Sequence, residues 1–208
     1  IADITAGRSG CNTILVENNS QLGGTTTIGG VDYPGIFHAW GRQVIAGIGW
    51  ELVYEAVKLN GDELPDFSIP HGRHHWQHQV RVNKHIYAML AEEKCLEAGV
   101  KIRYYETPVK AEFINDKWLV ELRGKGTHTK ISCNQVIDCT GNAFVTSLAG
   151  FDVLREAETQ PGTLMFRLEG YDINKLDMEL IKSRYDEEVE KGNLDKKEFL
   201  RIQGLLRS

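Results

Sequence analysis

The sequence carries no surplus of basic charge. Its 24 Lys and Arg stand against 29 Asp and Glu, a net charge of -5, and this argues against the basic patch or stripe that a nucleic-acid binder presents. It has no apolar run near the roughly 20 residues that a bilayer span needs, so no membrane partner is expected. It has no visible leader either. Residues 1–5 (Ile-Ala-Asp-Ile-Thr) hold neither a basic region nor a long apolar stretch. The first residue is Ile1 rather than Met, and further chain is expected upstream of it. Cysteine is scarce. The four, Cys11, Cys95, Cys133 and Cys139, form no CxxC pair, which disfavours both a disulfide framework and a CxxC redox motif and implies reduced thiols in a reducing, cytoplasmic compartment. Each is expected to be a buried small hydrophobe. No internal repeat or low-complexity tract appears.

What is present is an ordinary globular composition. Of 208 residues 41% are hydrophobic and 25% charged, enough for one good core or for one domain and part of a second. Residues 1–10 read as the end of a helix, with Ile1, Ala2, Ile4 and Ala6 on a buried side and Gly7 and Gly10 as the stop. Residues 13–17 (Thr-Ile-Leu-Val-Glu) suit a short buried parallel strand. A Gly- and Thr-rich loop follows at 21–30, then an irregular excursion at 31–82 with one amphipathic helix around residues 51–59. The spacing of Ile86, Met89, Leu90 and Leu96 predicts a helix over 85–98, closed by Gly99. Alternation predicts strands at 100–104, 109–114, 118–122 and 129–133. The last three are joined through Asn115-Asp116-Lys117 and Gly124-Lys125-Gly126, whose residues tolerate positive φ. Residues 136–141 (Val-Ile-Asp-Cys-Thr-Gly) read as one more strand. Residues 163–168 read as another, and 177–208 as largely helical, interrupted at Gly192 and Asn193.

A helix feeding a buried parallel strand belongs to a βαβ unit, which asks for a strand before the helix. In dinucleotide-binding units an acidic residue about 20 positions past a glycine-rich turn binds the ribose hydroxyls. Glu17 stands at its strand end, where that carboxylate is needed, and charge-assisted hydrogen bonds are the strong ones. An ordinary solvent-facing Glu is the alternative.

Three ordered blocks narrow the choice. Ala-Gly-Arg-Ser-Gly-Cys at 6–11 leads into the 13–17 strand and Leu-Gly-Gly at 22–24. Val-Ile-Asp-Cys-Thr-Gly-Asn lies at 136–142, and Gln-Pro-Gly-Thr-Leu-Met-Phe-Arg-Leu at 160–168. In this order and spacing they resemble the FAD-dependent oxidoreductases of the glutathione-reductase-like FAD fold. The resemblance implies an α/β, Rossmann-like FAD-binding fold, with a parallel sheet plus a three-stranded antiparallel meander, here incomplete. It implies an FAD-binding domain over 1–162, with 31–82 on the substrate side, and the start of a substrate-side domain over 163–208. By the same resemblance Glu17 binds the adenosine ribose, and Gly23 and Gly24 admit the pyrophosphate or ribityl chain where a Cβ would clash. Thr25 and Thr26 offer hydroxyls or N–H groups beside them, Val109 presents backbone groups to the adenine edge, and Thr140 and Gly141 close on the cofactor. Where the family often has Asp, this chain has Asn142, which removes a charge from that cofactor contact. The family's Gly-x-Gly-x-x-Gly turn is not in the sequence; its last glycine aligns about two residues before Ile1. Without that turn the 208-residue polypeptide is expected to bind FAD weakly or not at all.

The cluster His71, His74, His75 and His78, with Trp76 and Arg73, supports a metal site, a substrate- or flavin-facing segment, or plain surface. No HExxH and no carboxylate partner lies at ligand spacing, so no metal is assigned. His38, His85 and His128 read as structural or exposed. The function expected is oxidation or reduction of a small-molecule substrate through flavin hydride transfer. A non-catalytic nucleotide-binding fragment, a nicotinamide dehydrogenase and a metal-dependent enzyme are the rivals. No catalytic residue stands out, and self-association stays open.

Overall fold

The computed structural model describes residues 1–72, 74–159, 162, 165, 170, 172 and 175–194. The chain divides into two compact units, Ile1–Phe166 and Arg167–Ser208. In the first, helix α1 (Ala2–Arg8) leads to strand β1 (Ile14–Glu17). A small hairpin, β2 (His38–Ala39) and β3 (Arg42–Gln43), precedes helix α2 (Ile48–Asn60). A 3₁₀ turn at His75–His78 is followed by helix α3 (Lys84–Glu97) and strand β4 (Lys101–Tyr104). Strands β5 (Glu106–Ile114), β6 (Lys117–Gly124) and β7 (His128–Cys133) and the short helix α4 (Phe144–Leu148) complete it. The second unit contributes helix α5 (Met178–Glu190), with Asp177 accepting from the Leu180 N–H at 3.0 Å as its cap.

β1 and β4 pair in parallel, Ile14 opposite Lys101 and Glu17 opposite Tyr104. The connection between them is long and helical, as a parallel pair requires. β5, β6 and β7 form a separate antiparallel meander. Its first turn is as tight as the sequence requires, with Asn115 and Asp116 both at positive φ. This is the α/β, Rossmann-like arrangement with a parallel pair and a three-stranded meander.

The main core lies under α2 and α3. Leu52, Val53, Ala56 and Val57 of α2 meet Leu90, Ala91 and Cys95 of α3, with Ile4 and Val100 beside them. Val53 and Val57 are essentially removed from water, each contributing about 1.5–3 kcal/mol. The buried face of α3 differs from the expected one. Met89 and Leu96 are exposed, while Ala88, Ala91 and Cys95 point inward, because the close approach of α2 and α1 selects small side chains there. Gly7 shows the same constraint. It continues α1 rather than stopping it, and a Cβ on it would lie 2.4 Å from the carbonyl oxygen of Ala98. Ile1, expected on the buried side, is exposed.

α3 starts where Asn83 accepts hydrogen bonds from the N–H groups of His85 (3.0 Å) and Ile86 (3.5 Å). Asn83→Ala is expected to cost about 1 kcal/mol, read as a lower urea midpoint with unchanged slope.

Two expectations are corrected here. Residues 136–141 do not form a strand: 135–139 run without regular structure and Ile137 is 65% exposed. A strand exists through its ladder, and no described strand pairs with this segment. Of the cysteines only Cys95 is buried. Cys133 is intermediate, and Cys11, just beyond α1, and Cys139, on the unladdered segment, are exposed. The strand expected at 163–168, all but residue 165, and the helix expected beyond 194 fall outside the described residues. Among the described residues no helix is long and apolar enough to cross a membrane.

Candidate FAD-binding site

Glu17 closes β1, directly opposite Tyr104. Its Oε1 accepts two hydrogen bonds from Asn19, one from the backbone N–H and one from Nδ2, both 2.8 Å. Asn19 is held in turn at its carbonyl by the N–H of Tyr105, 3.3 Å away. Among the described residues nothing bonds the second carboxylate oxygen. The carboxylate is thus oriented from one side and open on the other, which the sequence did not reveal. Tyr104 donates to Glu92 at 2.5 Å. Burial, and then that carboxylate, hold its phenol well above the ordinary range, so it stays a neutral donor.

The Gly-Thr loop is rigidly built. Leu22 is buried, and the Thr27 hydroxyl, itself buried, donates to the Leu22 carbonyl at 2.7 Å. The N–H groups of Ile28 and Gly29 both reach the Gly24 carbonyl, at 2.9 and 3.0 Å. Gly23 and Gly24 have φ of +108° and +50°. A Cβ on Gly23 would stand 2.5 Å from Thr27 Cγ2. Thr25 faces outward, whereas Thr26 is buried and its N–H is committed to the Gly23 carbonyl at 3.1 Å. Of the two expected threonine donors, only Thr25 is therefore accessible.

Val109 occupies a β-bulge. The β5–β6 register runs from Pro108 opposite Leu122 to Lys110 opposite Glu121 and skips Val109, and a bulged residue is left out of its ladder. Val109 is also exposed. At the other end, Thr140, Gly141 and Asn142 form an exposed turn before α4. β5 packs against both β1 and α4.

The histidines read differently in three dimensions. His78 is buried, its Nε2 3.0 Å from the Ile69 carbonyl and its ring against Phe67 and His71. His38 stacks on Phe67 with ring centres 3.7 Å apart. Burial, and then His78, push the His38 imidazole below its ordinary range. His85 is exposed, and His128 pairs with Glu121. Among the described residues no three His, Cys, Asp or Glu side chains gather where one metal ion could sit. Arg73 and the side chains of His75 and Trp76 lie outside the described set.

A strand-end carboxylate, a loop with two positive-φ glycines, a β-bulge at Val109 and an exposed Thr-Gly turn are features that a flavin-nucleotide site would draw on. The family profile agrees: the FAD dependent oxidoreductase family matches residues 1–203, the chain belongs to that family, and its cofactor is FAD. No curated protein matches. Three solved structures are similar over 72% of this chain and 31% of their own. They are the OxyS anhydrotetracycline hydroxylase from Streptomyces rimosus (18% identity, TM-score 0.49), CabE, an aromatic hydroxylase from angucycline biosynthesis (18%, 0.46), and BexE of BE-7585A biosynthesis (15%, 0.45). The chain thus spans about a third of the length of those proteins. The residues present fit the cofactor: Glu17 keeps one carboxylate oxygen without a partner among the described residues, and the exposed Gly24 has open space where a Cβ would stand.

Proposed function

We propose that this chain supplies the nucleotide-binding part of an FAD-dependent enzyme that oxidises or reduces a small molecule. Glu17 holds the adenosine ribose through its open oxygen, while Asn19 fixes the other. Gly23 and Gly24 let the backbone approach the cofactor's diphosphate or ribityl chain, with Thr25 as the accessible donor beside them. Val109 offers its unladdered backbone groups to the adenine edge. Thr140, Gly141 and Asn142 close the site from the α4 side. When bound, FAD supplies hydride transfer at its N5. The protein's own contribution is to bind, orient and exclude water. The excursion over 31–82 and the residues from 163 onward make up the substrate side in this reading.

The observation that carries the proposal is the half-satisfied carboxylate of Glu17 at the carboxyl end of a parallel strand, where ligands of open α/β sheets collect. In the full-length protein, Glu17→Ala is expected to weaken FAD binding by about ten- to a hundredfold, the size of charge-assisted bonds to a diol. Flavin fluorescence titration reads this directly. Wild-type affinity in that variant would remove Glu17 from the site.

A further inference from the structure

Asp138 plays no part in the site described above, yet its side chain is the most heavily bonded carboxylate near it. Its Oδ1 accepts from the Thr140 N–H at 2.9 Å and from the Thr140 hydroxyl at 2.6 Å. Its Oδ2 accepts from the Thr146 N–H and hydroxyl, both at 2.8 Å. The Thr140 hydroxyl, having donated its one proton to Asp138, accepts the N–H of Phe144 at 2.9 Å. These bonds span residues 138–146 and enclose a turn in which Gly141 has φ of +81° and Ala143, which carries a Cβ, has φ of +57°. A left-handed residue of that kind persists only where its surroundings over-determine it. The segment 135–139 has no ladder to do so, which leaves the side-chain network. Burial pushes the Asp138 carboxyl up, but the bonds from Thr140 and Thr146 together outweigh it and hold the group well below the usual carboxylate range. The N–H of Gly141 and the side chain of Asn142 make no hydrogen bond among the described residues.

We propose that Asp138 is a positioning residue for FAD: through Thr140 and Thr146 it fixes the turn at Thr140, Gly141 and Asn142 in the shape that receives the cofactor, without touching the cofactor itself. This rests on the reading of that turn as part of the FAD site. Asp138→Asn keeps one acceptor oxygen but loses the other to an amide that cannot accept. In the full-length protein it is expected to lower FAD affinity about tenfold, one charge-assisted bond's worth. It should also shift the visible band of bound flavin, while the far-UV circular dichroism stays that of the wild type. A variant with wild-type affinity and band overturns the proposal. Should Asp138→Asn not fold, Thr146→Val decides. It removes one hydroxyl bond and is expected to weaken FAD about threefold, and unchanged affinity there is equally fatal. Gly141→Val separates this idea from the one beneath it. If that variant loses FAD while Asp138→Asn does not, only the role of Asp138 fails. If it binds FAD normally, the turn is not at the cofactor and both ideas fall.

Discussion

Replacing Glu106 with alanine is expected to destabilise the first unit by about 3 kcal/mol, read as a lower urea midpoint. Glu106 opens β5, and its side chain is only 7% exposed. Arg103 of β4 grips it with two bonds, Nε to Oε2 at 2.6 Å and a terminal nitrogen to Oε1 at 2.7 Å. The same guanidinium reaches the Thr129 hydroxyl at 2.9 Å on β7, and the Thr127 hydroxyl donates to Glu106 at 3.1 Å. The pair therefore ties the parallel strand β4 to both ends of the meander. Removing one partner of a buried pair leaves the other without its counter-charge, at about 3–5 kcal/mol. The lower figure applies because the Arg103 side chain, at 32% exposure, recovers some hydration.

The pH dependence has a definite sign. The bonds from Arg103, only partly opposed by burial, hold the Glu106 carboxyl below its ordinary value. Its stabilisation is fully present above the unfolded carboxyl range. It is lost as the pH falls below about 4 and through the depressed folded value. The stability gap between wild type and Glu106→Gln should narrow in that acid window and stay constant from pH 6 to 8. A gap that is independent of pH down to 3 would mean the pair contributes nothing as an ion pair.

Gly23→Ala is expected to lose about 2–5 kcal/mol and most of the FAD affinity together. The left-handed backbone costs a residue with a Cβ about 1–2 kcal/mol. The new methyl would also sit 2.5 Å from Thr27 Cγ2 and 2.9 Å from its hydroxyl oxygen, an overpacking cost of about 1–3 kcal/mol. Thr27 cannot yield easily, since it is buried and bonded to the Leu22 carbonyl. Adding Thr27→Ser removes the Cγ2 in closest contact, so the double variant should regain about 1 kcal/mol or more of stability. A flexible loop would show neither the loss nor the rescue. Urea titration together with flavin binding separates the stability effect from the affinity effect.

Much of this was readable from local chemistry. The period-2 runs and the Asn115-Asp116 turn locate the meander within three residues, because strand alternation and positive-φ turn residues act over short range. Glu17 and Gly23 stand out because a strand-end carboxylate and a Gly-Gly pair have distinctive local meaning. Composition does not say which threonines of a loop turn inward, so the burial of Thr26 beside an exposed Thr25 was not legible. Asp138 was missed, although Asp followed two residues later by Thr is itself a turn signal. Its apolar neighbours suggested a strand instead.

The first helix and strand, the meander with its turn chemistry and the family blocks were legible in the chain's own residues, because each depends on neighbours close in sequence. Three things awaited the folded chain: which face of α3 is buried, whether residues 136–141 find a ladder, and which oxygen of Glu17 remains open. Each depends on a partner distant along the chain, an adjoining helix, an adjacent strand or the Tyr105 N–H that steadies Asn19. No local pattern encodes the presence of such a partner.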